Sequence, residues 1–445
     1  MKFSGFRPSY RLLKYLGIGT FLSILFPTVG LFFELPELAL FPYFIFVLLA
    51  LSIIFDGVLS SRAPKLTCTR LITKNLSVHV VQPVKISIKN NDKVKFKLDV
   101  EEHIPADWSL LNECCGLNVS PKETLELTYH VKPNKRGIAY VSHTEFRIVS
   151  RFGLWQFFWL LDNVSEIKVY PNFSAINNME GFHGSVNLAQ AGLKKFNLRG
   201  SGMDFRQLRE YREGESLKQV DWRATSRFNK LISKEFQEEK NQHVMIMLDA
   251  GQRMCVRDDE MTYFDHALNS LILLSHTALK NGDNLSLQSF GSETRWLGQM
   301  RGVQSVSKVL HHFYDLYPQK VASDYLKAAE DILMKQPKRA LILLVSCLRD
   351  EDFSDLLMAV RLLQQKHLVA VISISEPIYQ TLSDEPIDGF DQALTYASTQ
   401  MLSHSIEKNI ARLKKQGVIC INASASRLTS NVINTYLSVK KAGLL

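Results

Sequence analysis

Two stretches near the start of the chain carry no charge: residues 15–33, YLGIGTFLSILFPTVGLFF, and residues 38–55, LALFPYFIFVLLALSIIF. Each is about the length a helix needs to cross roughly 30 Å of hydrocarbon. Only ELPE separates them, so the pattern predicts a tight two-helix transmembrane hairpin within residues 1–60. Pro27 and Pro42 are tolerated there because the helices pack against each other. No small-residue cleavage site lies between the two stretches, which argues against a removable signal peptide.

From 63 to 171 the hydrophobic rhythm shortens to two. Val84, Ile86 and Ile88 alternate with Lys85, Ser87 and Lys89, the pattern of a half-buried strand. Similar runs recur at 95–105, 124–141, 144–150 and 166–172, with Asn90-Asn91-Asp92 and Pro133-Asn134 as turn signals. Strands at this spacing without intervening helices predict an immunoglobulin-like β-sandwich. The run FGLWQFFWLL at 152–161 is apolar on both faces; a buried strand accounts for it better than a surface lying on a membrane.

Over residues 243–445 the rhythm changes again. Continuous apolar runs (HVMIMLD, NLSLQSFG, ALILLVS, LVAVISIS, VICINAS) alternate with amphipathic helical patterns at 262–282, 305–314, 353–367, through 405–417 and through 430–439. Strands of unbroken Val, Ile and Leu are buried on both faces, as in a parallel sheet between helices. The expected fold is a doubly wound α/β domain, in which ligands bind at the carboxyl ends of strands. Its first strand ends at Asp249, the first place to look for chemistry.

Charge refines this picture. Lys2, Arg7, Arg11 and Lys14 precede the first apolar stretch and Arg62, Lys65 and Arg70 follow the second, while the connecting turn has two Glu. The positive-inside rule then puts both ends in the cytoplasm. The formal net charge is +9, but the basic residues are spread along the chain rather than gathered in a stripe, so a nucleic-acid partner is not expected. The six cysteines form no CxxC pair and no zinc-type Cys/His spacing, and Cys114-Cys115 are poorly spaced for joint ligation. There is no G-x-S-x-G elbow, H-E-x-x-H, Walker-A loop or G-x-G-x-x-G after a strand. His311-His312 falls on an amphipathic helix, where a structural role outweighs a ligand role. No cofactor and no enzymatic activity are expected.

Between sandwich and α/β domain, over 172–242, lies LREYREGESLKQVDWRATSR at 208–227, with five Lys or Arg and four Asp or Glu in twenty residues. Surface ion pairs in a solvated linker contribute little, about 0–1 kcal/mol each. Tyr211 and Trp222, however, are costly to leave in a solvated linker. A folded strap is expected, with Arg209 and Arg227 forking onto carboxylates such as Asp221 and with Trp222 packed over the junction, either cementing the two domains or presenting its charges as a face for a partner ring.

With its flanks, this stretch closely resembles the signature of the bacterial domain-of-unknown-function family numbered fifty-eight. Gly200 and Gly202 lead into Phe205, then Leu208, Arg209 and Tyr211, the pair Gly214-Glu215, the pair Asp221-Trp222, Arg227, Glu235 and Glu239. The flanks agree: a two-span anchor, a sandwich with Arg136-Gly137 and an FGL run at 152–154, then a doubly wound domain. The resemblance covers nearly the whole chain. It implies a von Willebrand factor A-like domain and work beside a MoxR-type AAA+ ATPase in assembling or maturing a client protein, a partner more firmly than a reaction.

The same resemblance makes Asp249 testable as a metal-ion-dependent adhesion site, built from Asp-x-Ser-x-Ser, a Thr from a later loop and an Asp after the fourth strand. Here Asp249-Ala250-Gly251-Gln252-Arg253 lacks both hydroxyls, and Cys347 stands where the second Asp is expected. A hard divalent cation wants about six oxygens, so the metal site is read as lost, with Asp249 pairing with Arg253 or capping the turn. The alternative is a noncanonical metal-dependent binder or enzyme assembled from Asp249, Ser346 and Asp350. The preferred reading is a membrane-anchored, non-enzymatic adaptor held in the bilayer by the hairpin.

Overall fold

The computed structural model describes residues 1–32, 41–111, 114–172, 204–212, 217, 220–237, 241–376, 378–379, 382, 387 and 389–444. The chain forms two compact units, Met1–Tyr170 and Pro171–Leu445. Gly200, Gly202, Gly214, Glu215 and Glu239 lie outside the described residues, as does the connecting turn at 34–37.

The first unit opens with a short strand, β1 (Lys2–Pro8), followed by the helices α1 (Tyr10–Phe32) and α2 (Phe41–Ser60). Among the described residues one helical segment, Tyr43–Ser60, is long and apolar enough to cross a membrane. The expected first span overlaps α1, which contains Pro27.

Nine more strands build the sandwich: β2 (Leu66–Leu71), β3 (Asn75–Ser77), β4 (Gln82–Asn90), β5 (Phe96–Glu102), β6 (Trp108–Leu110), β7 (Cys114–Val119), β8 (Thr124–Pro133), β9 (Gly137–Val149) and β10 (Trp155–Tyr170). One sheet runs β1-β10-β9-β5-β7, with β3 also on β10, and the other β2-β4-β8-β6. The period-two residues fill the interior: Val84, Ile86 and Ile88 are buried, as are Phe146, Phe157 and Trp159. The run at 152–161 supplies the start of β10, and its odd-numbered aromatics are the ones facing the core.

Two assignments change. Residues 2–8 were expected to belong to the membrane hairpin, yet they form an edge strand of the sandwich, paired from Lys2↔Leu160 to Pro8↔Trp155. Phe3 and Phe6 meet Trp159 and Trp155 edge-on, each at 5.3 Å between ring centroids, contacts worth about 0.5–1.5 kcal/mol beyond area burial. Arg70 was counted as a topology signal but is spent inside the sandwich. Its fully buried guanidinium bonds Glu102 at 2.5 Å, Asn163 O at 2.6 Å and Val141 O at 3.1 Å.

In the second unit a small module comes first: β11 (Asp204–Glu210), α3 (Trp222–Phe228) and β12 (Ile232–Gln237), the strands antiparallel with Arg209 opposite Ser233. The α/β part follows. Its sheet contains β13 (His243–Asp249), β16 (Asn284–Phe290), β17 (Trp296–Met300), β18 (Leu341–Ser346), β19 (Leu368–Ser375) and β20 (Ile419–Ser424), while β14 (Arg257–Asp258) and β15 (Met261–Thr262) make a small separate ribbon. The order is β17-β16-β13-β18-β19-β20, parallel throughout except for the antiparallel edge strand β17.

Helices cover both faces. On one side α4 (Tyr263–Lys280), α5 (Val306–Phe313) and α9 (Leu428–Lys441) pack on Val244, Ile246 and Leu248; on the other α6 (Tyr325–Lys335), α7 (Phe353–Gln364) and α8 (Phe390–Lys415) pack on Met245 and Met247. Thr262 and Asp265 form a reciprocal capping box that starts α4. No helix was expected at α6, whose inward face is Tyr325, Ala328, Ala329 and Ile332. The spacing is helical, but alanines give a weak apolar signal.

Candidate functional site

In this strand order the chain leaves β13 towards β16 and later returns on the other side as β18, so the switch point lies between β13 and β18. Such crevices, at the carboxyl ends of the strands, are where open α/β sheets place their chemistry. Here β13 ends at Asp249 and β18 at Ser346.

Asp249 is fully buried, and both carboxylate oxygens are taken. Ser323 Oγ donates to Oδ1 at 2.5 Å and Gly251 N–H at 2.8 Å, while Ser346 Oγ donates to Oδ2 at 2.5 Å and Tyr325 OH lies 3.3 Å from it. Burial pushes the carboxyl above its ordinary 3.8, against these hydrogen bonds, which pull it down. The tip is closed as well as saturated: a Cβ on Gly251 would meet Ser323 Oγ at 2.0 Å and Val321 O at 2.9 Å.

Of the two roles expected of Asp249, the cap on its own turn forms, through Gly251 N–H, and the partnership with Arg253 does not. Arg253 instead reaches Asp352 at 2.9 Å and Glu351 at 2.7 Å, tying the turn after β13 to the start of α7. Nor do Ser346 and Asp350 share a site. Ser346 serves Asp249, whereas Asp350 accepts from Ser405 and Asn409 on α8, bonds that hold its carboxyl below the usual range.

The donor set does not fit a hard divalent ion. Asp249 already accepts from its four neighbours, the space beside Gly251 is filled by Ser323, and no group of three His, Cys, Asp or Glu that could hold a metal occurs among the described residues. Ser323 and Tyr325 went unread in the sequence. The signal available was a hydroxyl on a loop preceding a capped helix, since Asp324 accepts from Lys327 N–H to start α6.

Beside the closed tip lies a polar cleft of about 730 Å³, lined by residues at and just beyond the carboxyl ends of β18, β19 and β20, among them Cys347, Arg349, Glu376, Tyr379, Asn422 and Arg427. Arg349 bonds both Glu376 and Tyr379. Cys347 is buried with its thiol directed at Ile374 O (3.5 Å), and burial, then the nearby Glu376, pushes it up to about 12. A thiol so raised is not a nucleophile at neutral pH. Cys347 is therefore expected to resist maleimide in the folded protein and to react on denaturation, checked by mass spectrometry; rapid native labelling would refute its placement.

The charged stretch folds on itself. Asp221 N–H donates to Ile232 O and Tyr211 N–H to Leu231 O, each at 2.9 Å. The Asp221 carboxylate caps α3, accepting from Arg223 N–H at 2.9 Å and Ala224 N–H at 3.0 Å, with Lys234 at 3.3 Å. The helix N-terminus and a lysine thus occupy the carboxylate expected to take a forked arginine. Trp222 is 66% exposed rather than packed away, and Arg227 lies in the last turn of α3. The backbones of Phe205 and Glu235 belong to the paired strands β11 and β12.

Fold and site define a class: a parallel α/β domain led by a short charged ββ module, its strand tip closed by hydroxyls. Residues 207–409, which begin in β11 and end in α8, match the model of the family described as Protein of unknown function DUF58. The uncharacterized protein YeaD of Bacillus subtilis (strain 168) is 24% identical over 105 residues, covering 24% of this chain and 24% of that one. The match thus spans about a quarter of that relative's length.

Solved structures overlap about a quarter of this chain. A Salmonella alpha-2-macroglobulin mutant is 15% identical, covering 24% of this chain and 7% of that one at a TM-score of 0.20. A FixG-related protein from Vibrio parahaemolyticus is 11% identical, covering 24% and 98% at 0.19. The CARDB domain of a Pyrococcus furiosus protein is 15% identical, covering 24% and 94% at 0.18. At those scores none of the three bears on the fold or function of this chain.

Proposed function

We propose that this chain is a membrane-anchored, non-enzymatic adaptor whose ββ module and α/β domain engage a MoxR-type AAA+ ATPase and a client protein. The observation that carries the reading is the surface of the module. Trp222, Phe228 and Leu217 are 66%, 60% and 66% exposed, and Leu208 and Leu231 are exposed as well. Large apolar side chains gathered on a small charged element mark interaction surfaces. The Asp221 cap and the β11–β12 pairing fix the backbone that carries Trp222, Phe228 and Leu208, so a partner meets ordered elements there.

The strand order with one antiparallel edge supports a von Willebrand factor A-like reading of the domain, and the saturated Asp249 favours binding without a metal. The apolar segment Tyr43–Ser60 supports the anchor. In the full reading α1 is the first of two spans, both ends face the cytoplasm, and the membrane is the bacterial inner one.

The test is a pull-down of detergent-solubilised full-length protein from its own cells, with and without ATP. Wild type is expected to retain an AAA+ ATPase, and Trp222→Ala/Phe228→Ala to retain roughly tenfold less or lower, the scale of an aromatic hot spot. Both side chains are exposed, so the variant keeps its fold, checked by circular dichroism. Equal ATPase recovery by both would refute the docking face; no ATPase with either would refute the partner.

A further inference from the structure

Asp56 sits within the apolar segment Tyr43–Ser60 and is fully buried. Its partners come from the turn between β9 and β10: Ser150 Oγ at 2.6 Å, Phe152 N–H at 3.0 Å and Leu154 N–H at 3.2 Å. Trp155 Nε1–H adds a bond to Ile53 O at 3.1 Å, and Ser9, just before α1, donates its N–H to Leu154 O at 2.8 Å. One turn, 150–155, therefore grips the sandwich-side ends of both helices. Its depth is fixed to theirs.

Around this turn the surface is amphipathic. Tyr10, Phe55 and Phe152 are 82%, 59% and 56% exposed. Arg7, Arg11, Lys14 and Arg151 are exposed, and none pairs with a carboxylate among the described residues. Between α1 and α2 an apolar groove of about 620 Å³, lined by Leu12, Tyr15, Leu48 and Phe55, ends at Phe152 and Leu154. Aromatics with one wet edge, and cations on long apolar stems, are what a membrane interface selects.

We propose that the 150–155 turn and the start of α1 form a collar that binds anionic phospholipid. The phosphate is met by Arg11 and Arg151, and an acyl chain lies in the groove. The collar holds the sandwich against the bilayer, and the bonds of Asp56 tie the turn to the second helix. This rests on the reading of Tyr43–Ser60 as a membrane span.

The test uses full-length protein reconstituted in phosphatidylcholine vesicles with or without phosphatidylglycerol. Resistance to alkaline carbonate extraction reports the span; the motionally restricted fraction of spin-labelled phosphatidylglycerol against phosphatidylcholine reports the collar. The collar predicts a preference for phosphatidylglycerol that weakens with salt. Arg11→Gln/Arg151→Gln should reduce it roughly two- to fivefold per charge removed, Arg11→Lys/Arg151→Lys should keep it, and inorganic phosphate should not compete. Resistance to extraction without lipid preference would overturn the collar and leave the span intact. Extraction from both vesicle types would overturn the span and the collar with it. Loss of the preference on adding inorganic phosphate would make the site a phosphate site and overturn the lipid assignment.

Discussion

Replacing Arg70 by methionine is expected to destabilise the sandwich by about 3–5 kcal/mol, the cost of removing one partner of a buried ion pair. The guanidinium is fully buried and donates to Glu102, Thr144, Ser165 and two backbone carbonyls. Without it those carbonyls lose their donor and Glu102 is a lone charge in the core. Burial already lifts Glu102 above its ordinary 4.5, Arg70 notwithstanding. A raised carboxyl contributes stability that is full below its unfolded value and lost as pH rises through its folded one. The deficit of the variant should accordingly be largest at neutral pH and shrink as pH falls towards 4.5.

Hydrogen exchange of the β9 amides in the full-length protein measures the effect. Arg70→Met/Glu102→Gln is expected to recover more than half of the loss, since no charge is then left unpaired. A double variant as unstable as the single one would assign the cost to lost packing of the Arg70 stem instead.

The second large effect is at the strand tip. Asp249→Ala removes the acceptor shared by Ser323, Ser346, Tyr325 and Gly251. Each buried donor left without a partner costs about 1–3 kcal/mol, so a net loss of roughly 2–4 kcal/mol remains after the relief of removing a desolvated carboxylate. Asp249→Asn behaves differently. Its oxygen keeps the bonds from Ser323 and Gly251, its amide donates to the Ser346 hydroxyl, and no buried charge is needed.

Because the folded carboxyl is raised above 3.8, its contribution is full below that pH and is lost as pH rises through the folded value. At neutral pH the expected order of stability is Asn at least equal to wild type, and both above Ala; below 3.8 wild type should gain on Asn. Hydrogen exchange of β13 reads this directly. A neutral-pH loss above about 1 kcal/mol in Asp249→Asn would mean that the ionised carboxylate is the favoured form. A bound cation would explain that, and the metal-dependent alternative would then displace the adaptor reading.

Much of the local structure was legible because burial leaves a one-dimensional trace where one face of an element is covered. Val84, Ile86 and Ile88 alternate and are buried; the unbroken apolar run that opens the α/β part became β13, buried along almost its whole length. The trace fails where burial is partial or the side chains are small. Residues 2–8 formed an edge strand with most side chains exposed, and α6 turned alanines inward, so neither produced a strong period. In the charged stretch, composition announced a folded element but not its wiring: Asp221 had several cations within reach along the chain, and the backbone of α3 took it.

The sequence by itself determined which segments alternate, which are apolar on both faces and which carry charge, because those properties belong to residues a few positions apart. Only the tertiary structure decided the polar partnerships. Ser346 lies 97 residues from Asp249 and Ser323 lies 74, Arg253 passes over Asp249 for Asp352, and Asp56 meets a turn 94 residues downstream. A buried hydrogen bond needs two groups at one point in space and imposes no spacing along the chain. Strand order and helix placement bring them together, so no window of sequence contains the information.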